Sequence, residues 1–224
     1  MLKLVIFDVD GTLIDSQAVI LAAMARAFAA AGHPVPSRDA ALGIVGLSLP
    51  EAMDALLPDA DASAQAALVE HYKHAFTAHR AEGGPDAHPP FYPGAREGID
   101  RLDAAGYLLG IATGKARRGL DHMLDGHGLR PRFVATQTAD DAPSKPHPAM
   151  VLNCLALTGA DPADAVVVGD TEYDMTMARA AGAKAIGVGW GYHDRARLRR
   201  GGAQVIVPGF DALDDAVGEM VGAP

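Results

Sequence analysis

Two aspartates near the start of the chain follow a short apolar run and carry side chains suited to covalent chemistry. Leu4-Val5-Ile6-Phe7 is typical of a buried strand, and Asp8-Val9-Asp10-Gly11-Thr12 comes directly after it. Side chains alternate faces along a strand, so Asp8 and Asp10 project differently while they remain close. One carboxylate can attack an electrophile while the other exchanges a proton, and Gly11 lets the backbone approach a bound anion. An isolated pair of this kind more often caps the next helix, so the chemistry needs support from further residues.

Two later segments carry groups that suit phosphate. Thr113-Gly114-Lys115 follows the apolar run 107–112. Ligands bind at the carboxyl ends of strands in an open α/β sheet, and a hydroxyl with an unobstructed backbone N–H there suits a phosphate oxygen. Lys145 lies in Pro143-Ser144-Lys145-Pro146-His147-Pro148, where the prolines place it at a helix N-terminus, a preferred site for anions. Taken singly, the first segment also fits a β-turn and the second a surface lysine.

A cluster of acidic residues follows another apolar run, Val166-Val167-Val168. The cluster is Gly169-Asp170-Thr171-Glu172-Tyr173-Asp174. Mg²⁺ takes oxygen ligands from a few carboxylates together with substrate phosphate and water, so this cluster suits a hard divalent cation. Helix capping by Asp170 and a favourable helix dipole for Glu172 explain the same residues, and both interpretations can hold at once.

The elements that position these segments alternate along the chain. Six apolar runs are typical of strands that are buried on both faces, as in a parallel sheet: 4–7, 107–112, 132–135, 165–168, 185–188 and 204–207. Helical patterns at 95–105, 117–126, 148–158 and 174–181 separate most of them. Strand and helix in alternation predict an α/β fold built on a doubly wound parallel sheet with right-handed crossovers.

Residues 16–90 interrupt this alternation. They carry helical patterns at 17–31, 50–57 and 62–80, contain no strand-like run, and end in Gly83-Gly84-Pro85 and His88-Pro89-Pro90. The pattern predicts a small all-helical cap of residues 16–90, inserted into an α/β core formed by residues 1–15 and 91–224. Both connections of the cap would lie near the Asp8–Asp10 turn, so the cap can cover it.

Composition narrows the class of partner. The chain has 224 residues, 49% of them hydrophobic, which suffices for one well-buried core with a small appendage. Its net charge of −9 disfavours nucleic acid and an anionic membrane as partners. Neither a signal-peptide pattern nor an apolar stretch of roughly 18 residues is present, which favours a cytoplasmic location. The sequence leaves open whether the chain is a monomer or a homodimer.

Four of the segments resemble, in their order, the four motifs of the haloacid dehalogenase superfamily: Asp8–Thr12, Thr113–Lys115, Pro143–Pro148 and Gly169–Asp174. The resemblance covers essentially the whole chain. The helical insertion is similar to that of its phosphoglycolate phosphatase and β-phosphoglucomutase branch. The resemblance implies a Mg²⁺-dependent phosphatase of a small phosphorylated metabolite, with a phosphoglycolate-type substrate as the first choice. A β-phosphoglucomutase-like phosphomutase is the nearest alternative, and a catalytically silent binding protein is an alternative of another class.

The resemblance also implies a role for each matching residue. Asp8 would be the nucleophile that forms an aspartyl phosphate. Asp10 would protonate the leaving oxygen and then activate water, while its backbone carbonyl helps to bind Mg²⁺. The dehalogenases of the superfamily lack a carboxylate at that position, which favours phosphate esters. The implied phosphate-binding set is Asp8, Val9, Asp10, Thr113, Gly114 and Lys145, and the implied metal set is Asp8, Asp10 and Asp170, supported by Asp174.

Substrate selectivity is expected in the cap. The loop Gly43-Ile44-Val45-Gly46-Leu47-Ser48-Leu49 occupies the place of a substrate-facing loop in this branch, and Ser48 is its one polar side chain. Val45, Gly46, Leu47 and Ser48 are the expected selectivity residues. Many phosphatases of the branch have Asn where this chain has Gly114, which leaves the substrate pose open. Trp190-Gly191-Tyr192-His193 either lines the rim of the site or closes the core.

Overall fold

The order of the strands reverses at β1, which places the Asp8–Asp10 turn at the centre of one sheet edge. The computed structural model describes residues 1–82 and 89–224. Its strands are β1 (Leu4–Phe7), β2 (Leu108–Ala112), β3 (Phe133–Gln137), β4 (Ala165–Gly169), β5 (Lys184–Val188) and β6 (Val205–Val207). They form one parallel sheet in the order β3-β2-β1-β4-β5-β6. Ligands bind outside the carboxyl ends of the strands at such a reversal.

Both faces of the sheet are buried, as the apolar runs predict. Val5 and Phe7 of β1 face one apolar cluster, whereas Leu4 and Ile6 face the other. The first cluster is covered by helices α5 (Ala95–Ala104), α6 (Arg117–Gly126) and α10 (Leu213–Val221). The second is covered by α7 (Ala149–Thr158), α8 (Glu172–Ala180) and α9 (Arg195–Gly201). The predicted doubly wound α/β fold is therefore confirmed.

Helices occupy much of the described chain between β1 and α5. They are α1 (Gln17–Ala30), α2 (Arg38–Leu42), α3 (Leu49–Leu56) and α4 (Ala62–Glu82). Their apolar side chains form a separate cluster around Met24, Phe28, Met53 and Leu68. No helix in the described part of the chain is long and apolar enough to cross a membrane. The division into a core and a cap of residues 16–90 stays a proposal, and its segment 83–88 lies outside the described residues.

The two connections to these helices run side by side next to the Asp8–Asp10 turn. The Asp15 N–H donates to the Pro90 carbonyl at 2.8 Å, and the Tyr92 N–H donates to the Leu13 carbonyl at 3.0 Å. Ile14 and Phe91 form an antiparallel bridge between them. Any motion of the helices relative to the sheet therefore pivots beside the site.

A separate apolar cluster predicts separate unfolding of the cap. Phe28 is 1% exposed inside that cluster. We expect Phe28→Ala to cost about 3–5 kcal/mol locally, since it removes a large buried side chain. In native-state hydrogen exchange, amides of α1, α3 and α4 should exchange faster while those of β1 and β4 stay protected. Leu109→Ala in the sheet is the control and should accelerate amide exchange in the cap helices and in the strands alike. If Phe28→Ala accelerated exchange equally in both, the division into core and cap would be contradicted.

Candidate active site

The Asp8–Asp10 turn is held by backbone hydrogen bonds at the end of β1. The Asp8 N–H donates to the Val168 carbonyl at 2.9 Å, and the buried Val9 accepts from the N–H groups of Leu13 and Ile14 at 2.9 and 3.1 Å. Gly11 has φ +84°, and a Cβ there would lie 2.3 Å from Asp170 Oδ2. Only glycine therefore lets the turn lie against the loop that follows β4.

Lys145 lies completely buried between two carboxylates. Its Nζ is 2.7 Å from Asp8 Oδ1 and 2.6 Å from Asp174 Oδ1, and none of the three side chains is more than 2% exposed. Burial lowers the pKa of Lys145, but the charges of Asp174 and Asp8 outweigh it, so the pKa lies above its usual range. The ammonium group stays charged, because two carboxylates compensate for the water it has lost.

Three buried carboxylates form a cluster at the same place. One oxygen from each of Asp8, Asp170 and Asp174 lies within 4.8 Å of the others. Asp170 accepts from the Thr12 hydroxyl at 2.9 Å and from the Tyr192 N–H at 2.8 Å. Its pKa is raised well above the ordinary value by burial and by the charges of Asp8 and Asp174. A cation among the three carboxylates would relieve both the cost of burial and their repulsion.

One carboxylate oxygen of Asp8 has no hydrogen-bond partner among the described residues. This oxygen, Oδ2, is buried, whereas Oδ1 binds Lys145. Burial raises the pKa of Asp8 to about 7, and the positive charge of Lys145 opposes that rise. An unpaired buried carboxylate oxygen beside two other carboxylates fits a hard divalent ion such as Mg²⁺, which takes oxygen ligands. The donor set therefore suits the predicted metal.

Asp174 links this cluster to a helix. Its Oδ2 accepts from the Thr171 hydroxyl at 2.7 Å and from the Thr171 N–H at 3.1 Å, which completes a capping box at the start of α8. Its Oδ1 remains for Lys145. The predicted capping of this helix by Asp170 is wrong: Thr171 is the N-cap, and Asp174 completes the capping box while its other oxygen binds Lys145.

The carboxylate of Asp10 points to different partners. Its Oδ1 accepts from the Ser16 hydroxyl at 2.5 Å, and Lys115 Nζ lies 2.7 Å from both carboxylate oxygens. Asp10 is thus outside the three-carboxylate cluster, and its backbone carbonyl is the group left for the predicted metal role. No role was predicted for Lys115 or Ser16; the available signal was a lysine two residues after Thr113.

Thr113 lies at the same edge of the sheet. Phe7 of β1 stands opposite Ile111 of β2, so Thr113 follows β2 beside the Asp8 turn. Thr113 is 1% exposed, and its N–H donates to the Gln137 carbonyl at 3.0 Å. Its hydroxyl oxygen accepts from the Lys115 N–H at 3.2 Å, which leaves the hydroxyl proton for a ligand oxygen.

Comparison with known proteins agrees with this geometry. The profile of the family described as haloacid dehalogenase-like hydrolase matches residues 5–188. The chain belongs to that family. A probable phosphatase IndB of Dickeya dadantii is 38% identical over 100% of this chain and 94% of its own length. A phosphoglycolate phosphatase of Mesorhizobium japonicum is 31% identical over 97% of this chain and 96% of its own length. The crystal structure of a predicted phosphatase from Clostridium acetobutylicum superposes with a TM-score of 0.85 at 24% identity, covering 98% and 100% of the two chains. The predicted superfamily is therefore confirmed.

In this haloacid dehalogenase-like hydrolase, the predicted selectivity loop lies on the core. Val45 and Ser48 are 9% and 7% exposed, Gly46 is buried and Leu47 half-buried. The Ser48 N–H donates to the Ser144 hydroxyl oxygen at 2.7 Å, immediately before Lys145. This contact brings the loop next to the phosphate-binding residues that the motifs predict.

The segment Trp190–His193, after β5, both closes the core and lies beside the site, the two placements that the sequence left open. Trp190 packs on the core, and its ring N–H donates to the Thr12 carbonyl at 3.1 Å. The Tyr192 N–H holds Asp170, and its hydroxyl lies 3.2 Å from Ser16 Oγ. His193 Nδ1 accepts from the Glu172 N–H at 3.0 Å, so its Nε2–H donates to the Gly43 carbonyl of the cap. Burial and the nearby Arg197 charge lower the pKa of His193, which keeps the ring neutral.

The raised pKa of Asp8 predicts how Mg²⁺ and pH act on stability. Its pKa is about 7 in the folded chain against an ordinary value of 3.8. The metal-free folded state therefore binds more protons than the unfolded state between these values, and this group's stability contribution falls as pH rises. A Mg²⁺ ion at this cluster would compete with those protons. We expect Mg²⁺ to raise Tm more at about pH 8 than at about pH 6 in thermal unfolding.

The control for this measurement separates the cluster from its surroundings. Asp170→Asn removes a member of the three-carboxylate cluster and should abolish most of the Mg²⁺-dependent rise. Asp10→Asn keeps the backbone carbonyl and should retain it. An equal rise in the wild type and in Asp170→Asn would place the metal elsewhere.

Proposed function

We propose that the chain is a Mg²⁺-dependent phosphatase that hydrolyses a small phosphorylated metabolite, of phosphoglycolate type as the first choice, through an aspartyl phosphate on Asp8. The observation that carries the proposal is the state of Asp8: one oxygen bound to Lys145 at 2.7 Å and the other buried without a partner among the described residues. The relative named phosphoglycolate phosphatase, 31% identical over nearly the whole chain, supports the choice of substrate. A cytoplasmic location stays a prediction.

The nucleophilic step follows from the charges around Asp8. An Asp8 oxygen attacks phosphorus while the bond from phosphorus to the ester oxygen breaks. Lys145 reduces the repulsion between the carboxylate and the incoming phosphate, because its Nζ is bound to both Asp8 and Asp174. Thr113 offers a hydroxyl proton to a phosphate oxygen. Phosphoryl transfer depends mostly on such positioning and charge neutralisation.

The carboxylates beside Lys145 are the proposed metal ligands. Asp8 and Asp170 would hold Mg²⁺ with the backbone carbonyl of Asp10, and Asp174 would support the site through Lys145. The bound ion would supply positive charge to the phosphate oxygens.

Asp10 is proposed to handle the proton. In the first step it protonates the leaving alcohol oxygen, and in the second it accepts a proton from the water that attacks the aspartyl phosphate, which releases phosphate and regenerates Asp8. The Asp10 carboxylate is held in place by the Ser16 hydroxyl at 2.5 Å and by Lys115 Nζ at 2.7 Å. A carboxylate at this place favours phosphate esters over carbon–halogen bonds, which have no leaving oxygen to protonate.

Replacing the nucleophile tests the mechanism. Asp8→Asn keeps the shape and removes the attacking charge, so kcat should fall by several orders of magnitude while folding persists. Free phosphate release from 2-phosphoglycolate with Mg²⁺ measures the loss, and acid-quench trapping of labelled phosphoenzyme should show no label. Asp215→Asn, at an exposed position of α10, is the matched control. A folded Asp8→Asn variant with a tenth of wild-type activity would rule Asp8 out.

Chelation tests the metal. Activity should vanish with excess chelator, return with Mg²⁺ and be suppressed by Ca²⁺, whose larger and looser coordination shell disturbs in-line geometry. Asp170→Ala should raise the Mg²⁺ requirement or abolish activity. Full turnover after exhaustive chelation would contradict the metal role. Transfer of phosphate to a second sugar phosphate, without release to water, would identify a phosphomutase.

A further inference from the structure

Residues 43–48 of the predicted selectivity loop, called the cap loop below, lie on Gly114 so closely that no side chain fits between them. A Cβ at Gly114 would lie 2.6 Å from the Gly46 carbonyl oxygen and 2.6 Å from the Leu47 carbonyl oxygen. Both obstructing atoms belong to the backbone, so no side-chain rotation relieves the contact. Gly114 does not have a left-handed backbone conformation, so alanine there meets a steric obstacle and no conformational one.

The cap loop is tethered by hydrogen bonds at both ends, so moving it away from Gly114 costs free energy. At one end the Gly43 carbonyl accepts from the Tyr173 hydroxyl and from His193 Nε2, both at 3.1 Å. At the other end the Ser48 N–H donates to Ser144. Gly46 itself lies against the core, since a Cβ there would be 3.2 Å from Thr171 Oγ1. A methyl group at position 114 must therefore displace a tethered backbone by about 1 Å to reach ordinary van der Waals contact.

Little room remains over the nucleophile when the loop is in this position. Asp8 is 1% exposed and Thr113 is 1% exposed. Two cavities, of about 300 and 360 Å³, are lined by residues of the cap helices such as Val69 and Leu56, and Asp8 lines neither of them. A substrate must enter while the loop is lifted, and the leaving group must fit beneath the loop when it returns.

We propose that Gly114 is a specificity-determining residue: its missing side chain lets the cap loop lie on the segment Thr113-Gly114-Lys115, which restricts the leaving group to a small alcohol. The inference rests on the proposed phosphatase function and adds the core residue that sets the size limit. Gly114 acts through the position of Gly46 and Leu47. A side chain at 114 relaxes the limit and weakens closure over small esters.

The experiment compares Gly114→Ala with the wild type on two esters of primary alcohols, 2-phosphoglycolate and the bulkier glucose 6-phosphate. The variant should lose about tenfold or more in kcat/KM for 2-phosphoglycolate and less than about threefold for glucose 6-phosphate. Gly126→Ala is the matched control, because a Cβ at Gly126, near the end of α6, meets nothing within 4 Å. It should leave both values unchanged. Ser144→Ala, which frees one end of the loop, should move the ratio in the same direction as Gly114→Ala.

A second readout does not depend on activity. Hydrogen exchange at the Ser48 amide should accelerate in Gly114→Ala and stay at the wild-type rate in Gly126→Ala. Equal losses on both esters, or an unchanged ratio, would overturn the size limit, and unchanged Ser48 exchange would overturn the contact. A wild type inactive on every ester with Mg²⁺ would refute the phosphatase proposal alone, since the exchange measurement would still decide whether Gly114 holds the loop.

Discussion

The buried contact of Lys145 with two carboxylates is the interaction on which the site depends. Transferring one cation and two anions out of water costs several kcal/mol per ion, and only close pairing offsets that cost. Lys145 meets this condition at 2.7 and 2.6 Å. Its partners come from different elements, Asp8 from the end of β1 and Asp174 from the first turn of α8. The parallel sheet has to bring β1 and β4 together before the lysine can be buried, so the fold and the site form together.

A three-carboxylate cluster with one buried lysine leaves an excess of negative charge. The pKa values of Asp8 and Asp170 are both raised, first by burial and then by neighbouring charge: Asp174 raises both, and Asp8 also raises that of Asp170. Stability alone would favour fewer acids here. A site that accepts a cation and then a phosphate group gains from the same arrangement. The bound cation relieves the repulsion between the carboxylates, which are already in place.

Much of this could be predicted from the sequence because it depends on local pattern. The strands of the sheet are short runs of apolar residues, and Asp8, Lys145 and Asp170 each follow or precede one recognisable element. β3 ends later than predicted, at Gln137, because Thr136 and Gln137 pair with Ile111 and Ala112 through backbone groups that polar side chains do not disturb. Short α2 lacks the length for a helical period, and α10 was missed although its apolar residues recur at helical spacing.

Contacts between distant segments could not be predicted, since nothing local encodes them. Lys115 reaches Asp10 across 105 positions, and Tyr192 reaches Asp170 only because the loop after β5 folds back over β4. His193, next in that loop, binds the Gly43 carbonyl of the cap and the Glu172 N–H at the start of α8. The start of α8 therefore follows Asp170 closely, carries Asp174 in its first turn and supplies the Glu172 N–H that holds His193 against the Gly43 carbonyl. Closing the cap and ordering the carboxylates use the same backbone, so substrate entry and metal binding are expected to be energetically coupled.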